Sequence, residues 1–448
     1  MFLVFTAMFF WAFLGVPLVD CSIDLQQESL NEGPRQFVHL AKQCPQSRDL
    51  FMMKLHHLTD RNVTCNDGTP AGYYLRKAHG SKRWIVYLAG GEFCTSSESC
   101  NARYSKMKYL MSSATWSSFR FGTGILSSDP VLNPTWWNAN LVYIPYCSSD
   151  AWIGNASASE TGERFSFVGS RILERVFMEL TSKGLDNAKR LLVAGSSAGG
   201  IGVILNLDRI DKRLEMGGLK IDVRGLADSG WYLDIPPCPA GGKHCQGAKL
   251  QENNMISIGM TYWRGVVPDD CARRNPQKKW KCFFGEHVYR TDDKSPKHSP
   301  LFVFQWLYDS AQLVWSIGAN IMKSSKPSKK EIDRVLYIGN EVRDSFNRTK
   351  GLSCAVFAPS CISHGILNQD DWLKVLMRGK NLNHVINDWY QSSGQETRDC
   401  PSLIGTECNY PHCNPTCPSL GRKLMGLRSH GKDIKTPSDK VVVPTPHK

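Results

Sequence analysis

Two spacings of apolar residues alternate along this chain. Short apolar runs at Trp84-Ile-Val-Tyr-Leu-Ala, Leu141-Val-Tyr-Ile-Pro-Tyr, Leu191-Leu-Val-Ala and Val223-Arg-Gly-Leu-Ala are bounded by glycine or polar residues and predict buried strands. Between them, Phe165, Val168, Ile172, Val176 and Leu180 recur at helical spacing and predict an amphipathic helix over Glu163–Ser182. Leu301-Phe-Val-Phe-Gln-Trp-Leu-Tyr and Cys354-Ala-Val-Phe-Ala-Pro predict the last core strands. Ala311–Met322 and Lys329–Phe346 predict further helices. Strands alternating with helices imply a mostly parallel central sheet with helices on both faces.

The pattern fails in two places. The stretch after the N-terminal apolar run is poorly patterned, with Phe51–Leu58 reading as a peripheral helix. Residues 235–300 are rich in Pro, Gly, Cys and Lys and predict an insertion pinned by disulfides over the sheet edge. The expected organisation is therefore a signal peptide over 1–21 and a poorly ordered segment over 22–55. An α/β domain over 56–418 and a basic flexible tail over 419–448 follow.

Phe2 to Leu18 is uncharged and short for a membrane span, which fits a cleaved secretory signal. No later stretch reaches transmembrane length, so no span is expected after cleavage. A signal anchor is the alternative, because a basic leading segment is missing. Sixteen cysteines in 448 residues suit an oxidising compartment and a secreted, extracellular protein. Close spacing suggests the pairs Cys94/Cys100, Cys238/Cys245, Cys271/Cys282 and Cys354/Cys361, with Cys44 left over. A zinc site at Cys400, Cys408, Cys413 and Cys417 is the weaker alternative, its spacing being irregular. Asn62, Asn155 and Asn347 open glycosylation sequons.

Net charge is +13. The excess is partly local, at Lys323, Lys326, Lys329 and Lys330 and in the tail from Arg422 to Lys448. In a secreted chain it points to sulfated glycans rather than nucleic acid, or simply to a solvated tail.

The chemistry concentrates at Gly195-Ser-Ser-Ala-Gly199, a G-x-S-x-G between a strand and a helix. In such an elbow Ser197 stands in a strained turn at the top of the sheet. The following amide, Ala198, lies at a helix N-terminus, where negative charge is stabilised. A serine nucleophile needs a base and a carboxylate to hold that base. His364, just past a core strand, is the base by position, ahead of His244, His287, His298, His384 and His412. The acid is Asp309 or Asp228. Chain order favours Asp309, and Asp228 has the alternative of capping a turn. The Gly90-Gly91-Glu92 turn can supply further oxyanion donors. No metal or other cofactor is called for.

These residues resemble the Notum family of secreted carboxylesterases, related to plant pectin acetylesterases. The resemblance is carried by Val63-Thr-Cys-Asn-Asp-Gly, Gly122-Thr-Gly-Ile-Leu-Ser-Ser, Trp136-Trp-Asn-Ala-Asn, Ile144-Pro-Tyr-Cys-Ser-Ser-Asp, Gly195-Ser-Ser-Ala-Gly-Gly, Arg224-Gly-Leu-Ala-Asp-Ser-Gly-Trp, Cys282-Phe-Phe-Gly, Gln305-Trp-Leu, Phe357-Ala-Pro and Pro411-His-Cys-Asn-Pro. It runs from about residue 55 to 418. It implies an α/β-hydrolase fold and the triad Ser197, Asp309 and His364, with backbone oxyanion donors at Gly91, Glu92 and Ala198. It implies removal of palmitoleate from lipidated Wnt proteins, so silencing Wnt signalling, with heparan sulfate of glypicans as a second partner. It also implies an acyl pocket lined by Phe93, Tyr232, Ile256, Phe283, Phe284 and Ala311.

The chain departs from the family at several positions. Ala89 replaces an acidic residue, Glu92 a tryptophan, and Trp315 a small aliphatic residue of the pocket. A carboxylate beside a lipid pocket should point outward or stay protonated. A tryptophan at 315 should shorten the pocket. A family cysteine ahead of the Asp309 strand is missing and Cys354 is extra, which implies a rewired disulfide. The departures together fit a divergent paralogue with an altered acyl pocket. The alternatives are an esterase for shorter acyl or glycan acetyl esters, or a non-hydrolytic heparan sulfate binder.

Overall fold

The predicted apolar runs assemble into one ten-stranded sheet in a computed structural model. It describes residues 51–235, 252–289, 298–317, 327–349, 354–392, 402–405 and 411–418. The strands are Met52–His57 (β1), Gly72–Arg76 (β2), Arg83–Leu88 (β3), Phe119–Phe121 (β4), Asn140–Ile144 (β5), Arg190–Ser196 (β6), Asp222–Asp228 (β7) and Leu301–Phe304 (β8). They continue with Tyr308–Asp309 (β9), Cys354–Ala358 (β10), Ile362–Ser363 (β11), Leu376–Met377 (β12), Lys380–Asn381 (β13) and Ser402–Ile404 (β14), of which β9 with β11 and β12 with β13 form two separate two-stranded ladders. The sheet order is β14-β10-β8-β7-β6-β3-β5-β2-β1-β4. Every pairing from β5 to β14 is parallel, and β2, β1 and β4 close the other edge in antiparallel fashion.

Strand alternation sorts the core onto two faces. Trp84, Val86, Leu88, Leu191 and Val193 pack on one side with the helices Gly169–Ser182, Ala198–Met216 and Lys329–Arg348. Ile85, Tyr87, Leu192, Ala194, Phe302 and Phe357 pack on the other, against Leu382, Val385, Ile386 and Trp389 of the helix Leu382–Gln391. This is the α/β layering that the sequence predicts. At roughly 1.5–3 kcal/mol per fully buried large apolar side chain, these two faces hold the sheet rigid under the site.

Several expectations need correction. Phe51–Leu58 is not a helix: Met52–His57 is β1, paired with β2 and β4, so the sheet starts inside the segment expected to be poorly ordered. The predicted helix at 163 begins only at Gly169, whose amide donates to the buried Asp150 carboxylate at 2.7 Å. Phe165 is buried from the loop ahead of it. The run from Leu301 is not one strand but two, β8 and β9. Cys354–Ala358 is not the last strand, because β14 pairs beside it.

Among cysteines, Cys94–Cys100 and Cys271–Cys282 are bonded as their spacing suggests. Cys361 is bonded instead to Cys417, not to Cys354, and Cys65 pairs with Cys147. Cys413 is also in a disulfide. Thiols committed to disulfides cannot ligate zinc, which removes the tail zinc reading. The signal peptide, Cys44, Cys238, Cys245, Lys323, Lys326 and the tail lie outside the described residues.

Candidate active site

The site is built where β6 gives way to the helix Ala198–Met216. Ser197 has φ 59° and ψ −124°, a conformation costing on the order of 1–3 kcal/mol for a residue with a side chain. The turn is held by the Ser197 amide donating to the main-chain carbonyl of Asp228 at 2.8 Å. The glycines are there for space: a Cβ on Gly199 would lie 2.0 Å from the Leu88 carbonyl oxygen. One on Gly90 would lie 2.5 Å from the Ser196 carbonyl oxygen and 2.9 Å from the Ser197 Cβ. The turn therefore admits close approach of the Gly90-Gly91-Glu92 loop to the serine.

That loop has an anchor the sequence did not reveal. Arg103, buried on the helix Ser97–Lys106, donates from Nη2 to the Gly91 carbonyl and from Nε to Ser149 Oγ at 2.9 Å. The Cys94–Cys100 disulfide ties the same helix to the loop. A trans peptide points its N–H opposite to its C=O, so the Glu92 amide faces away from Arg103. Gly91, Glu92 and Ala198, the three expected oxyanion donors, all line one cavity of about 590 Å³ with Ser197 and His364. The Glu92 side chain is solvent-exposed, as expected of a carboxylate at an apolar mouth.

His364 follows β11, which pairs in parallel with β9 and so brings residues 55 apart in sequence together. Its Nδ1 lies 3.0 Å from Asp309 Oδ1 and 2.9 Å from Oδ2. Asp309 is fully buried as a side chain, and its Oδ1 also accepts the amides of Ala311 at 2.9 Å and Gln312 at 3.1 Å. It thus caps the N-terminal end of the helix Ser310–Ile317. Burial pushes the His364 pKa down. The Asp309 charge and hydrogen bond, then Asp228 and Glu92, push it up, and the net result is above the ordinary 6.5.

Asp228 is not the partner of the histidine ring. It is buried without exposure, and its carboxylate accepts from Ser196, Ser229 and the amides of Ile366 and Leu367. Tyr232, expected only as pocket lining, is buried beside Ser197 in the same cavity, and burial raises its pKa well above 10.

The acyl pocket is only partly as expected. Phe93, Tyr232, Ala311 and Trp315 line the cavity, together with Ile201 and Val314, which the sequence did not single out. Ile256, Phe283 and Phe284 are buried and are not among its lining residues. The Trp315 ring stands 5.3 Å from Phe93 and 4.9 Å from Tyr232, and Phe93 stands 5.8 Å from Phe283. This aromatic layer separates the cavity at the serine from the deeper side chains. Of the sequons, Asn62 and Asn347 are exposed, while Asn155 is half-buried with Oδ1 accepting from Arg171 Nε at 2.6 Å.

The pectinacetylesterase family profile matches residues 44–418. The palmitoleoyl-protein carboxylesterase notum1a of Danio rerio is 41% identical over 413 residues, covering 89% of this chain and 80% of that protein. The palmitoleoyl-protein carboxylesterase NOTUM of Homo sapiens is 43% identical over 386 residues, covering 84% of this chain and 75% of that protein. The crystal structure of the Wnt deacylase Notum from Drosophila superposes with a TM-score of 0.72 at 38% identity, covering 82% of this chain and 99% of that one.

Proposed function

The chain belongs to the pectinacetylesterase family, alongside the Notum carboxylesterases, and from that premise we propose that it removes palmitoleate from Wnt proteins through Ser197, Asp309 and His364. One observation carries the reading: His364 is held by Asp309 at 2.9 Å and opens with Ser197 onto the same cavity.

In this mechanism Ser197 Oγ attacks the ester carbonyl while His364 Nε2 takes its proton. Asp309 keeps the other ring nitrogen protonated and stabilises the imidazolium. The amides of Gly91, Glu92 and Ala198 hold the oxyanion, an effect worth about 3–4 kcal/mol per donor in comparable sites. The leaving alcohol takes the proton from His364, and a water activated by the same ring releases the fatty acid from Ser197.

A second reading is an esterase for shorter acyl or acetyl esters, favoured by the Phe93–Trp315–Tyr232 layer. Nitrophenyl esters from acetyl to palmitoyl, with a palmitoleoylated Wnt peptide and Ser197→Ala as control, decide between them. Palmitoleate removal should depend on Ser197. Peak turnover on acetyl with none on the peptide moves the protein to the second reading, and no turnover on any ester ends both.

A secreted, extracellular location is part of the same proposal, supported by the disulfides. Heparan sulfate of glypicans is the proposed second partner, supported by the basic excess, of which Lys329 and Lys330 are exposed. Elution from heparin at no more salt than a neutral protein requires would remove that partner.

A further inference from the structure

Asp228 ends β7, beside the strand that delivers the nucleophile, and its side chain takes no part in the proton transfers above. Its connections nevertheless reach both ends of the transfer. Its main-chain carbonyl accepts the Ser197 amide at 2.8 Å. Its carboxylate accepts the amides of Ile366 at 2.7 Å and Leu367 at 3.0 Å, the Ser229 hydroxyl at 2.8 Å, and the Ser196 hydroxyl. Ser229 Oγ in turn accepts the Gly365 amide at 3.0 Å. The three consecutive amides that follow His364 are therefore tied to one carboxylate, directly or through a single hydroxyl.

We propose that Asp228 is a positioning residue that fixes the His364 loop relative to Ser197. This rests on reading Ser197 and His364 as the catalytic pair. A turn cap would serve its own turn, whereas these amides lie more than 130 residues along the chain, at separations of 138 and 139. The donors also run in one direction. Tyr87 donates its hydroxyl proton to Ser196 Oγ at 2.6 Å, which leaves the Ser196 proton for Asp228. Four donors converging on two oxygens suit a carboxylate; they work against its desolvation, although burial still leaves its pKa above the ordinary 3.8. An amide nitrogen in the same place would meet a donor instead of an acceptor.

The charge has a second effect. The groups that set the proton affinity of His364 are Asp309, Asp228 and Glu92, with neutral Tyr232 beside the serine. Loss of the negative charge at 228 weakens the hold on the imidazole proton.

The test uses the full chain with Asp228→Ala, Asp228→Asn and Ser229→Ala, assayed on a soluble nitrophenyl ester across pH. Misplacing a catalytic group by about 1 Å costs on the order of 100-fold, so Asp228→Ala should lose about that in kcat with KM changed less than about threefold. Asp228→Asn keeps one acceptor oxygen and should recover about tenfold of the loss, with its acid limb moved to lower pH. Ser229→Ala cuts only the link to Gly365 and should lose about threefold to tenfold in kcat. Should Asp228→Ala fail to fold, the other two variants decide. The proposal is overturned if Asp228→Asn and Ser229→Ala both keep kcat within about twofold of the parent and the acid limb does not move. An NMR titration of the His364 imidazole gives a readout independent of turnover. A pKa lowered by Asp228→Asn supports the proposal even in a chain that cleaves no ester, and an unmoved one overturns it. The esterase reading stands or falls separately, on the parent chain.

Discussion

Both oxygens of Asp309 face the Nδ1 of His364, at 3.0 and 2.9 Å, so the imidazole carries its Nδ1 proton toward the carboxylate and leaves Nε2 free to act as base. Only the neutral ring can accept the serine proton. Burial lowers the His364 pKa, but Asp309, Asp228 and Glu92 outweigh it and raise the value above 6.5. Activity should therefore rise with pH through a value above 6.5 and be lost as the ring protonates below it. Glu92→Gln, which keeps the backbone donor, should shift this limb to lower pH. The check is kcat/KM against pH for both proteins; an acid limb below 6.5, or one indifferent to Glu92, contradicts the electrostatics described.

Trp315 is expected to limit how far an acyl chain can enter. Its ring closes against Phe93 and Tyr232, with Phe283 and Phe284 walled off behind. Trp315→Ala should open the way to those side chains and raise the palmitoyl-to-butyryl ratio of kcat/KM by about tenfold or more, given roughly 0.8 kcal/mol for each methylene newly buried. An unchanged ratio would mean that the tryptophan does not set chain length.

Arg103 acts on the oxyanion loop from outside the cavity. It forks between the Gly91 carbonyl and Ser149, a geometry that a single ammonium cannot reproduce. Arg103→Lys retains the buried charge but releases the loop, so kcat should fall about tenfold to a hundredfold with KM little altered. Single-turnover kinetics on a nitrophenyl ester would show the loss in the acylation step; a rise in KM with kcat intact would place Arg103 in substrate binding instead.

The parts of this molecule legible in the sequence are those decided by neighbours along the chain. The strand–turn–helix at Ser197 could be read because its glycines crowd one another within the turn itself: a Cβ on Gly195 would lie 2.5 Å from the Gly199 carbonyl oxygen. The strands β3, β5, β6 and β7 are continuous apolar runs whose period and punctuation are local. What escaped was decided by distant partners. Met52–His57 mixes apolar and polar residues without a clear period, and becomes a strand because β2 and β4 pair with it. Phe165 sits at helical spacing yet packs from a loop, because Asp150 fixes where the helix starts. Cys361 passes over the nearby Cys354 for Cys417. Asp228 could be weighed as acid or turn cap but not as a clamp on residues 365–367, since those lie far along the sequence. Arg103 carries no motif at all; its role follows from a carbonyl brought to it by the fold.

The bond between Cys361 and Cys417 spans 56 positions and anchors the chain three residues ahead of His364. During synthesis, then, the segment that carries His364 cannot be stapled into place until Cys417 has left the ribosome and met an oxidant. A molecule cut short before Cys417 would keep Ser197 and Asp309 but hold the His364 segment by non-covalent contacts alone.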